Sequence, residues 1–269
     1  MMIDAPPAAV QAIAPLPSSA TRFAPPLGRV IRYTVDETRS DGRAPRVARD
    51  ADRSFVERSV TFARTESGYL ATVTLLRTKA ARGIPPVLER GLAALVGRPI
   101  LVSLDAAGQV VAVEDRDALW AAVVEGTRAG LAEACRVPGR CAIPPKQSLA
   151  PLEAMPPAGR ERMLAGSLSA IFATGLAPHP ARAVTQASRA SATPVTLTGS
   201  ERVDRLADGA LVLIRTVSGA VTTTPPGTMR IDSERVVDAQ TALTRTYRET
   251  TTIRAGSTTL TIVRTTVVS

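Results

Sequence analysis

Histidine, the most common acid–base residue of enzymes, occurs once in this 269-residue sequence, as His179 between two prolines. A serine hydrolase needs a histidine together with a nucleophilic serine on a strand-to-helix turn. The segment 166–170 (GSLSA) has leucine where that motif has its serine, and it lies inside a helical pattern. We therefore interpret His179 as an exposed loop residue.

Other catalytic motifs are also absent from the sequence. Penicillin-recognising enzymes need S-x-x-K, but the residues three positions before Lys79 and Lys146 are leucine and isoleucine. The sequence contains no P-loop and no G-x-G-x-x-G. Three acidic residues, Glu114, Asp115 and Asp117, precede or begin a predicted helix, where carboxylates cap free N–H groups. We predict a protein that is not an enzyme and has no catalytic residues, no metal site and no cofactor.

The two cysteines, Cys135 and Cys141, lie six positions apart, and Pro138-Gly139 between them is typical of a tight turn. Such a turn can bring two sulfur atoms within bonding distance. A redox site more often has the spacing C-x-x-C, and zinc needs four ligands. We predict a structural disulfide, which places the protein in an oxidising compartment. Two free thiols in a cytoplasmic protein are the alternative.

The net charge of +9 arises from 33 basic residues, of which only Lys79 and Lys146 are lysine. The arginines are scattered singly along predicted strands, and aromatic residues do not alternate with them as a single-strand nucleic-acid platform requires. This pattern disfavours nucleic acid as a partner. An anionic membrane surface is compatible with the charge.

Residues 1–26 are rich in proline and alanine and carry few charges. Asp4 lies where a signal peptide has its basic region, and prolines interrupt the apolar stretch. We predict a flexible leader over 1–26, like the start of a mature exported protein whose signal has been removed. No stretch of the sequence has the roughly 18 uninterrupted apolar residues of a membrane-spanning helix.

Alternating apolar and polar residues predict strands on both sides of a central helical block near 85–175. The first strand, from Arg29 to Glu37, is typical, with Ile31, Tyr33 and Val35 on one face. Strands before and after helices indicate an α+β fold. We predict one domain over 27–269. It is a large curled antiparallel sheet of about ten strands, a half-barrel, with about three helices packed on one face.

Two of the predicted helices carry apolar stripes that face the sheet. Ordinary core packing explains most of these residues. As a sharper hypothesis, some of them line a cavity for a lipid or another hydrophobic ligand. The predicted lining residues are Trp120, Val123, Val124, Leu164, Leu168 and Phe172.

This order of elements resembles the bacterial LolA-like/LppX-like periplasmic lipoprotein-carrier superfamily. The resemblance rests on the hairpin from Ile100 to Val113 followed by a helix, and on the strands from Thr228 to Glu249. It implies an incomplete antiparallel barrel lidded by helices, a cavity for an acyl chain, and a periplasmic or secreted location. We therefore expect a non-enzymatic envelope protein that binds a hydrophobic ligand. The alternative is a structural or protein-interaction module with a solid core.

Overall fold

The structure is a computed structural model, and it describes residues 20–42, 53–79, 86–136, 145–165, 168–188, 195–222 and 225–269. Eleven strands form one antiparallel sheet in the order β5-β4-β3-β2-β1-β11-β10-β9-β8-β7-β6. The sheet is curled but not closed, so β5 and β6 are its edges. The strands are β1 (Ile31–Asp41), β2 (Arg53–Arg64), β3 (Gly68–Lys79), β4 (Pro99–Asp105), β5 (Val110–Val113), β6 (His179–Ser188), β7 (Val195–Arg205), β8 (Leu211–Val221), β9 (Gly227–Val237), β10 (Thr244–Ala255) and β11 (Thr258–Val268).

Helices pack on one face of this sheet, which we call the inner face. They are α1 (Pro86–Ala93), α2 (Arg116–Cys135), α3 (Pro145–Glu153), α4 (Pro157–Ala165) and α5 (Leu168–Ile171). Their contacts with strands fall mainly on β3, β4, β5, β10 and β11. In the part of the chain that the structure describes, no helix is long and apolar enough to cross a membrane.

The period of two in the strands explains how the inner face is buried. Ile31, Val60, Val73 and Ile100 lie directly opposite one another on β1 to β4, and all four are buried in the main core. Because neighbours along a strand point to opposite faces, the intervening polar residues point outward. The α+β prediction, with one large curled antiparallel sheet and helices on one face, is confirmed.

Two local predictions were wrong. The Ser/Thr/Ala-rich composition after His179 predicts a linker that leads to Pro194, but the segment forms the edge strand β6, which raises the strand number from about ten to eleven. Pro180 is tolerated near its start because an edge strand has one side without ladder hydrogen bonds. The proline-rich composition of 142–159 predicts irregular structure, yet α3 lies within this segment and α4 begins in it. Pro145 and Pro157 both occupy first helical positions, where proline loses no hydrogen bond.

Residues 20–26, at the end of the predicted leader, lie against the sheet. The Thr21 hydroxyl donates to the Ala173 carbonyl at 2.7 Å and accepts from the Leu176 amide at 3.0 Å. Phe23 is buried in the main core. Residues 1–19 lie outside the described residues, so a flexible leader there stays a prediction.

Candidate functional site

A groove of about 430 Å³ opens on the protein surface between α4 and the turn that joins β4 to β5. This volume falls within the range of roughly 300–1,000 Å³ that is usual for small-molecule sites. Its apolar lining includes Phe23, Ala165, Leu168 and Phe172. Its polar lining includes Gln109, Glu161, Arg162 and Thr174. The groove therefore has a mixed lining, and its accessible surface is somewhat more polar than apolar; we call the apolar side chains its wall and the polar side chains its rim.

Aromatic side chains concentrate beside this groove in a protein that has few of them. Three of the four phenylalanines, Phe23, Phe62 and Phe172, pack edge to face with one another, and Phe23 also meets Tyr69 edge to face. The shortest distance between ring centroids, 4.6 Å, joins Phe23 to Phe172. Such pairs add stabilisation beyond the burial of their area. We call these four residues the aromatic cluster.

Gly108, in the β4–β5 turn, allows the Phe23 ring to approach the groove. Its φ is +81°, a conformation that L side chains rarely adopt, and a Cβ atom at this position would lie 2.5 Å from Cδ2 of Phe23. The ring therefore lies against bare backbone. The Thr21 hydroxyl is hydrogen-bonded to residues 173 and 176. These hydrogen bonds and the contact with Gly108 together fix the position of Phe23.

The six residues predicted to line a ligand cavity lie together in one region, beneath and beside the groove. All of them belong to the main core or pack against it. Leu168 and Phe172 also line the groove. Trp120 is buried, and its Nε1 donates to the Leu152 carbonyl at 3.1 Å. Val123, Val124 and Leu164 are buried as well. A ligand-lining role for these residues stays a prediction.

A second feature of the inner face is a straight line of polar side chains across seven adjacent strands. We call it the polar row. Each of its members lies directly opposite the next in the strand register. In spatial order they are Glu37, Arg264, Glu249, Ser233, Arg215, Glu201 and Arg182.

The polar row separates two apolar regions of the inner face. On one side lies the main core beneath the helices. On the other side a smaller buried cluster covers β7 to β9, and its members are Val195, Leu197, Val217, Val221, Met229 and Ile231. Charged groups bordered by apolar surface on both sides are screened less by water, so their pairing has larger energetic effects.

Glu201 is the most buried carboxylate of the row, with 6% of its side chain exposed. One oxygen accepts from Arg182, at 2.6 Å from Nη2, and the other accepts from Arg215, at 2.9 Å from Nε. Burial alone would raise the pKa of Glu201, but the hydrogen bonds from Arg182 and Arg215 outweigh it and hold the pKa below its ordinary value. His179 Nε2 lies 3.8 Å from the same carboxylate. The prediction of an exposed loop histidine was wrong: His179 begins β6 and is half-buried.

Tyr247 and Arg235 lie beside the row, opposite each other on β10 and β9. The Arg235 guanidinium carbon is 4.4 Å from the centre of the Tyr247 ring, within the range of cation–π contacts. Burial lowers the pKa of Arg235 below its ordinary value. Burial also raises the pKa of Tyr247, and the hydrogen bond that its hydroxyl donates to Glu249 raises it further.

Among the acidic residues at the start of α2, Asp117 is engaged in ion pairs within α2 and with α4. Asp117 lies 3.1 Å from Arg116 and 3.2 Å from Arg160 of α4. Among the described residues, no group of three or more His, Cys, Asp or Glu side chains is arranged to hold a metal ion. Cys135 ends α2, and Cys141 lies outside the described residues, so their disulfide stays a prediction.

Sequence reasoning found Leu168 and Phe172 but missed Phe23, Gln109 and Arg162 as groove residues. Phe23 lies within the predicted leader and was therefore not considered. The one available signal was Thr21, because threonine side chains commonly form hydrogen bonds with the backbone. The polar row was also missed, because it depends on the register of seven strands that are distant in sequence. No protein-family model matches this chain, and comparison with curated proteins gives no significant match.

Proposed function

We propose that this protein is a non-enzymatic, exported envelope protein that binds one acyl chain or a similar hydrophobic ligand in the groove beside the aromatic cluster. The observation that carries this proposal is the groove itself, with an apolar wall that includes Phe23, Leu168 and Phe172. Apolar clefts with a few polar groups at the rim are the usual form of small-molecule sites. The resemblance to the LolA-like/LppX-like carriers supports a lipid as the ligand class.

The rim favours a ligand that has a polar end. Arg162 is exposed at the groove, and in the described part of the chain no carboxylate lies within ion-pair distance of it. Glu161, next to it, already accepts from Arg116 at 2.8 Å. An acyl chain with an anionic end would place its tail against the phenylalanines and its charge near Arg162. The net charge of +9 also supports attraction to an anionic membrane surface.

The proposed ligand binding in the groove can be tested by a substitution at an exposed position that fills the groove. Ala158 is exposed on α4 and lines the groove. We expect Ala158→Trp to weaken laurate binding at least about tenfold, because the indole occupies the volume of the tail and each buried CH₂ contributes about 0.8 kcal/mol. Isothermal titration calorimetry on delipidated protein measures this change.

The matched control is Ala150→Trp on α3, which is exposed but does not line the groove. It should bind laurate like the wild type. An equal loss of laurate affinity in Ala158→Trp and Ala150→Trp would contradict the proposal, and so would an absence of laurate binding in the wild type and both variants. Native mass spectrometry of gently purified protein is a second test, in which a retained lipid mass supports it.

The alternative function is a structural or protein-interaction module, and the dense packing beneath the groove favours it. Trp120, Val123 and Leu164 are each at most 3% exposed, so this part of the core is solid. A native mass spectrum that shows only the protein without bound lipid, together with no laurate binding, would favour this alternative.

The proposed export depends on the predicted disulfide between Cys135 and Cys141. We expect unreduced, denatured protein to react with no thiol reagent, because both sulfur atoms are bonded. After reduction it should take up two labels per chain, which mass spectrometry counts. Two labels without reduction would remove this support for an oxidising compartment.

A further inference from the structure

Arg235 lies beside the polar row, and its guanidinium is only partly used in hydrogen bonds among the described residues. Its Nη1 donates to the Phe172 carbonyl at 3.4 Å. Its Nε–H is buried and has no hydrogen-bond partner among the described residues. The Nε side of a guanidinium is one of the edges that bind a carboxylate or phosphate through two parallel hydrogen bonds. In Arg235 no carboxylate among the described residues occupies this edge, although the Tyr247 hydroxyl interacts with the guanidinium.

The carboxylates around Arg235 are already engaged by other groups. Glu37 accepts from Arg264 at 2.8 Å, and Glu201 accepts from Arg182 and Arg215. The Glu249 carboxylate accepts from the Tyr247 hydroxyl. Within the described ranges, no carboxylate oxygen lies within the 4.0 Å of an ion pair with Arg235.

The charges in and beside the polar row leave an excess of positive charge. The polar row has three glutamates and three arginines, so its own charges cancel, whereas Arg235 and Arg39, which lies 3.7 Å from Glu37, add positive charge beside it. Arg235 is half-buried, burial lowers its pKa, and Glu249 is the carboxylate that favours its charge. Because a partly desolvated cation without an ion-pair partner is costly, an anion from outside the described residues would be stabilised beside Arg235.

We propose that Arg235 anchors a binding site for one carboxylate or phosphate group on the inner face of the sheet. Arg215 is its diagonal neighbour on β8 and adds positive potential. The Tyr247 ring lies against the guanidinium and restricts its position. This site differs from the rim of the groove, and the proposal does not rest on laurate binding in the groove.

Isothermal titration calorimetry at constant ionic strength tests the site with inorganic phosphate, acetate and laurate as probes. Replacing Arg235→Gln should weaken oxyanion binding about tenfold or more, because a charge-assisted hydrogen-bond pair is lost. Arg254→Gln is the matched control. It removes the same charge from β10, but Arg254 is exposed on the outer face. Arg254→Gln should keep the wild-type affinity.

The three probes distinguish two possible sources of the bound oxyanion, the head group of an amphiphile and a free anion. Tighter binding of laurate than of acetate and phosphate, sensitive to Arg235→Gln, identifies the head group of an amphiphile. Similar binding of all three identifies a free oxyanion. No saturable binding of any probe, or equal losses in Arg235→Gln and Arg254→Gln, would overturn the proposal.

A stability readout excludes a purely structural role. Without added anion, Arg235→Met should have an unchanged or higher melting temperature, because the methionine keeps the apolar stem and removes an uncompensated charge. A decrease of several degrees would assign Arg235 to the support of the fold. The groove variant Ala158→Trp should bind phosphate like the wild type, so failure of the groove proposal and failure of this one are distinguishable.

Discussion

Replacing Phe62 by alanine is expected to lower the free energy of unfolding by about 3–5 kcal/mol. Phe62 is 1% exposed on β2, and its ring lies 5.5 Å from Phe172 and 6.0 Å from Phe23. Its register partner on β3 is Ala71, a small residue that leaves room for the ring. Truncation therefore opens a cavity that neighbouring strands cannot close. Urea denaturation followed by circular dichroism measures the change.

Phe55→Ala is the matched control for this prediction. Phe55 lies on the same strand but on the outer face, half-buried beneath the Arg77 guanidinium. We expect a loss of about 1 kcal/mol or less, because most of the cost of a core truncation comes from the cavity. Equal losses for Phe55→Ala and Phe62→Ala would mean that the aromatic cluster does not organise the core.

The aromatic cluster shows what local pattern could predict. The alternation through Val56, Val60 and Phe62 in the sequence predicts both the strand and its buried face, because the period of two depends only on neighbouring residues. The same reasoning placed Tyr33 inward, and its burial confirms it. Strand type and inward face are therefore properties of each segment by itself.

Prediction from the local sequence pattern failed for segments whose structure depends on an adjacent strand of the sheet. In β6, Val184 is the only large aliphatic residue between Pro180 and Ser188, so the hydrophobic signal is weak. The strand forms because β7 supplies hydrogen bonds along its length. The apolar spacing of Leu164, Leu168 and Ile171 predicts one helix over 160–173. The structure instead has α4 and α5 there, with residues 166 and 167 outside the described residues.

The candidate sites required information that no single segment contains. The groove joins Phe23, α4 and the β4–β5 turn, which lie far apart in sequence. The polar row requires the register of seven strands, and a shift of one residue in any strand would turn its member outward. The absence of an ion-pair partner for Arg235 among the described residues can be recognised only when the ion-pair and hydrogen-bond partners of each glutamate are known.

Replacing Glu201 by glutamine is expected to lower the free energy of unfolding at neutral pH by about 2 kcal/mol. Removing one partner from a buried ion pair usually costs about 3–5 kcal/mol. Here the cost is smaller because Arg182 and Arg215 are 63% and 35% exposed, so water can solvate them in part. Asp204→Asn is the matched control. Asp204 is 50% exposed on the same strand and pairs with Arg202, so its loss should cost less than about 1 kcal/mol.

The difference between wild type and Glu201→Gln should depend on pH. Because the pKa of Glu201 in the folded state lies below its ordinary value of 4.5, the unfolded chain binds more protons at acid pH. The stabilising contribution is thus fully present above about pH 4.5 and is lost as the pH falls through the folded-state pKa. Urea denaturation of both proteins between about pH 7 and pH 3 should show the two unfolding free energies converging only below about pH 4.5. A difference that stays constant down to pH 3 would mean that the Glu201 charge does not stabilise the polar row. Its contribution would then come from packing and neutral hydrogen bonds.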